Sequence, residues 1–135
     1  MAKWIVIPEV SVNGIKFKDA REFVRSAIKK IDGDRVFREF KKNKYSVNTT
    51  DDYGDFHIFY DENDRFEAIE FYEGEEVYIG DHKVFPADYQ IINKIMPELN
   101  GDGVNFISNR CSVGVTVIDN KVESILIGCH NYFQV

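Results

Sequence analysis

The residues best suited to binding an ion lie between Asp61 and Tyr72, in the segment DENDRFEAIEFY. An EF-hand calcium loop places oxygen ligands at positions one, three and five, a glycine at six and a bidentate glutamate at twelve. Here position five is Arg65, position six is Phe66 and position twelve is Tyr72. The segment is therefore predicted to be a turn in which Asp and Asn side chains bond to the local backbone, without a metal ion.

Nucleophilic or metal chemistry would need a histidine or cysteine close to a suitable partner. His57, His82 and His130 are isolated, and none lies at a metal-ligand spacing from another His or Cys. Cys129 is adjacent to His130, but neighbours on a strand point to opposite faces, so the two cannot act together as nucleophile and base. We therefore predict no catalytic residue, no bound metal and no cofactor.

Glu70 is the acid whose surroundings most suggest chemistry. Alternation along RFEAIEFY places four residues on one strand face: Phe66, Ala68, Glu70 and Tyr72. A hairpin that turns at residues 62–63 would bring His57 and Phe59 opposite that face. Because a carboxylate among aromatic side chains is costly unless it is paired, Glu70 is either a structural acid that pairs with His57 or reaches water, or the general acid of a small hydrolase.

Charge is unevenly distributed along the 135 residues, whose net charge is −6. Residues 14–50 hold eleven Lys or Arg and five acids, whereas residues 51–81 hold one Arg and twelve acids. An acidic surface repels phosphate and attracts basic partners. The acidic segment therefore favours a protein partner, and the basic segment leaves nucleic acid as the alternative.

The acidic segment supplies the predicted partner-binding site. Its strands would bury alternate aromatic side chains and turn acids outward toward a basic cleft of the partner. The eight predicted site residues are Asp51, Asp52, Asp55, Glu67, Glu73, Glu75, Glu76 and Asp81. Complementary charge would steer association and sharpen partner choice. The competing interpretation is that these acids only solvate an open sheet and protect its edges.

The alternative site is the basic segment, residues 16–44. Its cations could follow a phosphate backbone, in which case the affinity would fall steeply with salt. The nine cations are Arg21, Arg25, Lys29, Lys30, Arg35, Arg38, Lys41, Lys42 and Lys44. No series of aromatic residues for base stacking accompanies them.

Two helices are predicted to position these segments. The first runs from Asp19 to Ile31, with a capping box of Asp19 and Glu22 and a stop at Gly33. Its apolar stripe consists of Ala20, Phe23, Val24, Ala27, Ile28 and Ile31, and its opposite face of cations is expected to be solvated. The second runs from about Pro86 to Met96, because proline suits a first turn and Pro97 ends the helix.

The rest of the chain has the pattern of strands. FHIFY and RFEAIEFY flank the turn DEND, EVYIGDHKVF follows, and SVGVTVI and VESILIG are joined across residues 119–121. The order of elements predicts an α+β fold for a single domain of residues 1–135, an antiparallel β-sheet meander with two helices packed on one face.

Composition and the N-terminus predict the compartment. The chain is 44% hydrophobic and 30% charged, which is typical of a folded, soluble protein. MAKWIVIPEV lacks the length and cleavage region of a secretory signal, and Cys111 and Cys129 are too few for a disulfide framework. We therefore expect a cytoplasmic protein without a membrane span. The sequence does not indicate its oligomeric state.

Three stretches carry a resemblance that covers nearly the whole chain: WIVIPEVSVNGIKFKDAREFVRSAI, TTDDYGDFHIFYDENDRFEAIEFYEG and VESILIGCHNYF. Their pattern of hydrophobic residues and glycines resembles a small family of uncharacterised bacterial proteins often found beside polymorphic toxin genes. The resemblance implies an immunity protein, as in contact-dependent growth inhibition systems, which binds a toxin domain and blocks its active site. It implies no catalytic residues, so we predict a non-enzymatic protein-binding module.

Overall fold

The computed structural model describes residues 3–41, 44–45 and 48–134. In this part of the chain the helices are α1 (Arg21–Ile31) and α2 (Tyr89–Ile95). The strands are β1 (Lys3–Ile7), β2 (Ser11–Val12), β3 (Ile15–Lys16), β4 (Arg38–Phe40), β5 (Thr50–Asp52), β6 (Phe56–Tyr60), β7 (Phe66–Phe71), β8 (Glu76–Ile79), β9 (His82–Phe85), β10 (Asn100–Gly101), β11 (Asn105–Ser108), β12 (Val113–Ile118) and β13 (Lys121–Gly128). The predicted α+β class is confirmed.

The strands form two sheets. The larger sheet has the order β10-β11-β12-β13-β7-β6-β5-β4, and its neighbouring strands are antiparallel. It contains both predicted hairpins, β6–β7 and β12–β13. The smaller sheet has the order β3-β2-β1-β8-β9, with β8 parallel to β1. The segment EVYIGDHKVF therefore forms a hairpin of the smaller sheet, whereas its sequence pattern placed it in the meander.

The core lies between the two sheets. One row of cross-strand neighbours lies on the core-facing side of the larger sheet: Phe106, Val115, Ile125, Phe71 and Phe56. Trp4 of the smaller sheet is fully buried, and its ring centroid lies 4.9 Å from that of Phe56 and 5.4 Å from that of Phe71. These aromatic contacts join the sheets.

Both helices differ from their predicted starts. The N-cap of α1 is Ala20, and the Asp19 carboxylate accepts the backbone N–H of Lys16, so the predicted capping box is wrong. The helix ends at Ile31, as predicted. The second helix begins at Tyr89, and Pro86 lies before it, after a cis peptide bond. Neither helix, nor any other in the described residues, is long and apolar enough to cross a membrane.

Two aromatic residues near the C-terminus cover the outer face of the larger sheet, the face away from the core. Gly128 of β13 allows the close approach of Tyr132, since a Cβ at this position would lie 2.6 Å from the tyrosine Cβ. Gly114 of β12 makes the same kind of space for Phe133, whose ring would lie 2.9 Å from an added Cβ. Only small residues fit under these rings.

Candidate protein-binding surface

The acidic and basic segments of the sequence meet inside the protein at Asp51. This residue lies on the core-facing side of β5, opposite Ile58 of β6, and its side chain is 0% exposed. Its carboxylate accepts hydrogen bonds from Arg25 Nε at 2.9 Å and Nη2 at 2.8 Å, from Arg21 Nη1 at 3.3 Å and from the Tyr60 hydroxyl at 3.0 Å. The buried negative charge is thus fully paired.

The two arginines come from successive turns of α1, which turns them toward the sheet. The Arg21 guanidinium lies over the Tyr60 ring, 4.0 Å from its centroid, and also binds Asp64 at 2.7 Å. Burial by itself would lower the pKa of Arg25, but the hydrogen bonds to Asp51, which have the largest effect, and to Glu39 raise it. The predicted solvated cationic face of α1 is therefore wrong for Arg21, whose side chain is only 7% exposed.

A second buried pair anchors the loop of residues 32–37, which follows α1. Glu75 is 2% exposed and accepts hydrogen bonds from Trp4 Nε1 at 2.8 Å and from Arg35 Nη2. Arg35 also approaches Asp32, at 3.4 Å, and Asp55, at 3.8 Å. The Arg35 guanidinium therefore fixes the loop to Glu75, in the turn after β7, and Glu75 in turn binds Trp4 of the smaller sheet.

The prediction that all eight acids project outward is wrong for Asp51 and Glu75. Because side chains alternate along a strand, Asp51 and Asp52 cannot both face solvent. The two inward acids are compensated by arginines, Asp51 by Arg25 and Glu75 by Arg35. Glu73 and Asp81 are exposed, and the other four acids are partly buried: Asp52, Asp55, Glu67 and Glu76.

The predicted site residues do not form a single patch. Asp52 lies on the outer face of β5, and Glu67 at the bulge of β7. Glu76 and Asp81 belong to the smaller sheet and its β8–β9 turn. Asp55 and Glu75 come together beside the loop of residues 32–37, whereas Glu73 lines a neighbouring cleft with Glu75.

Asp55 and Glu75 line a cleft of about 400 Å³, which we call the acidic cleft. Its carboxylates come from Asp32, Asp34, Asp55 and Glu75, and the anchored loop forms one wall. Val36 belongs to that wall and is 81% exposed. The next residue, Phe37, is 37% exposed, and its ring packs 5.4 Å from that of Tyr53. An exposed apolar residue is thus held in a fixed place beside acids.

Sequence reasoning missed Val36 and Phe37. They are an apolar pair inside the charged segment IDGDRVFREFKK, and this was the available signal. Of the basic residues predicted to bind nucleic acid, Arg21, Arg25 and Arg35 contact carboxylates, and Lys42 lies outside the described residues. The remaining five are exposed, although Arg38 also contacts Asp52: Lys29, Lys30, Arg38, Lys41 and Lys44.

Glu70 lies in a chain of hydrogen bonds on the outer face of the larger sheet. As predicted, His57 lies opposite Glu70 and Phe59 opposite Ala68. The Tyr72 hydroxyl donates to Glu70 Oε1 at 2.7 Å and lies 3.3 Å from His57 Nδ1. Burial and the hydrogen bond to Glu70 raise the pKa of Tyr72.

The environment of His57 favours the structural interpretation of this group. Its Nε2 lies 3.2 Å from Asp52 Oδ1, so both ring nitrogens face protein groups and neither is directed at an open site. Phe66 was predicted to share the face of Glu70 but is buried in the core. Glu67 is an extra residue of β7 opposite the step from Phe59 to Tyr60, and this bulge reverses the alternation.

Acid is expected to destabilise the fold through its paired carboxylates. The Gly54 N–H holds the pKa of Asp52 below its ordinary 3.8 against the effect of burial, with help from Arg38. Burial would raise the pKa of Asp61, but hydrogen bonds from Lys18 and from backbone N–H groups outweigh it and lower it. A carboxyl group whose pKa is lower in the folded state than in the unfolded state stabilises the fold. This stabilisation is present when the pH is above the unfolded-state pKa, and it is lost as the pH falls through the folded-state pKa.

The free energy of unfolding, measured with denaturant, should therefore hold down to about pH 4 and fall progressively below it. A free energy that stays constant or rises between about pH 4 and about pH 2 would contradict this sign.

Comparisons with known proteins add nothing to this site: no family model, curated protein or solved structure matches the chain. Across the residues that the structure describes, no group of three or more His, Cys, Asp or Glu side chains could hold a metal ion.

Proposed function

We propose that the protein is a non-enzymatic binding module, an immunity protein that neutralises a bacterial toxin domain by covering it with the surface around residues 32–37. The observation that supports this most is Val36, which is 81% exposed in a loop anchored by the buried Arg35–Glu75 pair. Val36 and the partly exposed Phe37 line one cleft, and an apolar patch rimmed by polar residues marks a protein-interaction site.

The surface has the composition of a protein interface. Such interfaces combine an apolar centre with a polar rim, and a few apolar or aromatic residues supply most of the binding energy. Val36 and Phe37 would form the centre, and the rim would consist of Asp34 and Asp55 from the acidic cleft and Glu73 from the neighbouring cleft. Because Arg35 already fixes the loop, little conformational entropy is lost when a partner binds.

The charge of the rim supports a basic partner. Asp34 and Glu73 are exposed, so their negative charge is available to an approaching protein. A toxin domain that acts on nucleic acid has a basic substrate cleft, and an acidic surface could occupy it. The resemblance to immunity proteins supports the same class of partner, which we expect to be encoded by the gene immediately upstream.

Charge reversal should separate this surface from the rest of the acidic protein. The double substitution Asp34→Lys with Glu73→Lys should slow association with the upstream-encoded toxin domain about tenfold, and the loss should shrink as salt is added. The dissociation rate and the melting temperature should change little, because both residues are exposed. Stopped-flow or biolayer kinetics at two salt concentrations would measure the effect.

Glu62→Lys with Asp81→Lys is the matched control, since it changes the net charge equally at exposed acids that line neither the acidic cleft nor the neighbouring cleft of Glu73. The control variant should bind like the natural protein and protect cells that express the toxin domain. Equal slowing by both double variants would mean that only total charge matters. Absence of binding to the toxin domain by the natural protein would refute the proposed function.

A further inference from the structure

The exposed cations of the basic segment gather at the open edge of the larger sheet. Its terminal strand is β4, and Arg38 in that strand is 86% exposed although it lies 3.2 Å from Asp52. Lys41, directly after the strand, and Lys29 of α1 are also exposed. We propose that the edge of β4 binds an extended, acidic segment of another protein as a ninth strand.

The turn between β5 and β6 determines which backbone groups of β5 face β4. Tyr53 N donates to Phe56 O at 3.0 Å, so these two residues form a hydrogen-bonded pair. Hydrogen-bonded and non-hydrogen-bonded pairs alternate along an antiparallel ladder. The next hydrogen-bonded pair is therefore Asp51 with Ile58, and Asp52 directs its N–H and C=O toward β4.

The same alternation then fixes the groups of β4 itself. Arg38 lies opposite Asp52, and Phe40 opposite Thr50, so both direct their backbone groups toward β5. Glu39, between them, directs its N–H and C=O away from the sheet, where no strand of the described chain lies. These are the groups that an added strand would pair with.

Two clefts near β4 could receive the side chains of such a strand. On the side of α1 a cleft of about 480 Å³ reaches Phe37, directly before β4, and is lined by Lys29 among others. A second cleft, of about 350 Å³, is lined by all three residues of β4 and by Asp52. Side chains of an added strand alternate between the two sides, which is how edge-binding domains obtain specificity.

Charge selects the chemistry of the segment. Arg25 and Arg35 of the α1-side cleft are already paired with carboxylates, whereas no ion pair or hydrogen bond of the Lys29 side chain is seen within the described residues. An acidic side chain would complement that lysine. On the other side Arg38 is paired with Asp52, and the exposed part of Phe40 favours an apolar neighbour. The segment should therefore alternate acidic and apolar residues.

Nucleic acid fits this edge less well than a peptide. Strong phosphate binding needs many unpaired cations, and Arg38 in the edge strand is already paired with Asp52. The edge also presents backbone groups that a peptide can pair with and a phosphate backbone cannot. The α1-side cleft shares Val36 and Phe37 with the surface proposed for the toxin, but Glu39 of β4 lies outside that surface, so the peptide can bind whether or not a toxin domain does.

The test uses a fluorescein-labelled peptide of alternating valine and glutamate, about ten residues long, and fluorescence anisotropy at low salt. Glu39→Pro removes the outward N–H but none of the groups directed toward β5, and proline is tolerated at such edge positions. Glu39→Ala is the matched control, since it loses the same side-chain contacts with Arg25 and Thr49 but keeps the N–H.

The natural protein and Glu39→Ala should bind the peptide with affinities within about threefold of each other, whereas Glu39→Pro should bind about tenfold more weakly while melting at the same temperature as Glu39→Ala. Lys29→Glu should also weaken binding, and a valine–lysine peptide should not bind. Equal binding by the proline and alanine variants, equal binding of the lysine peptide, or absence of binding by the natural protein would each overturn the proposal. Binding of single-stranded DNA in preference to the acidic peptide would do so too.

Discussion

Replacing Asp51 by alanine should destabilise the fold by about 3 kcal/mol, the lower end of the cost of breaking a buried ion pair, because it leaves Arg21 and Arg25 only their more exposed partners Asp64 and Glu39. Arg21 is only 7% exposed and Arg25 only 19%, and both direct their guanidinium groups at this carboxylate. The Tyr60 hydroxyl would lose its acceptor as well. Equilibrium unfolding in urea, with far-ultraviolet circular dichroism as the signal, would measure the change.

Two controls separate the buried ion pair from other effects of this substitution. Asp51→Asn keeps the shape and part of the hydrogen bonding but removes the charge, so it should also destabilise, by less than alanine. Asp81→Ala, at an exposed acid of the β8–β9 turn, should change stability by less than about 0.5 kcal/mol. Equal effects of Asp51→Ala and Asp81→Ala would mean that the network around Asp51 does not stabilise the protein.

Replacing Trp4 by alanine should cost about 3–5 kcal/mol, since a large buried side chain is removed at the contact between the sheets. Its ring packs on Phe56 and Phe71 of the larger sheet, and its indole N–H donates to buried Glu75. The substitution therefore creates a cavity and also removes a donor from a buried carboxylate.

Trp4→Phe isolates the second of these losses. It keeps most of the aromatic packing and removes the N–H, so it should cost about 1–3 kcal/mol. Glu75 retains Arg35, which limits the cost. The same urea titration measures both variants. If the phenylalanine variant were as unstable as the alanine variant, the hydrogen bond rather than packing would dominate at Trp4.

Local patterns predicted the hairpins and the position of Glu70. Strand alternation and a turn rich in Asp and Asn were enough to place His57 opposite Glu70, because hairpin pairing depends on neighbours in sequence. The end of α1 at Ile31 was also predictable from its apolar spacing. The hydrogen bond between Tyr72 and Glu70 was not predicted, although the alternation placed both residues on one face.

Local sequence patterns could not predict the pairing of residues that are far apart in the chain. The hairpin of β8 and β9 pairs with β1, about seventy residues earlier in the chain, and nothing local distinguishes it from a further strand of the meander. The same holds for Asp51, whose partners Arg21 and Arg25 lie in α1. A count of charges along the sequence suggested two surfaces of opposite sign, whereas in the fold many of these charges neutralise one another.

The most direct test of the proposed partner surface is hydrogen–deuterium exchange of the protein alone and when saturated with the upstream-encoded toxin domain. We expect binding to slow exchange in residues 32–37 and 72–76, which surround Val36 and the acidic cleft. Exchange on the outer face of the larger sheet, at residues 57–59 and 68–70, should not change. Slowed exchange confined to that outer face, with residues 32–37 unaffected, would contradict the account.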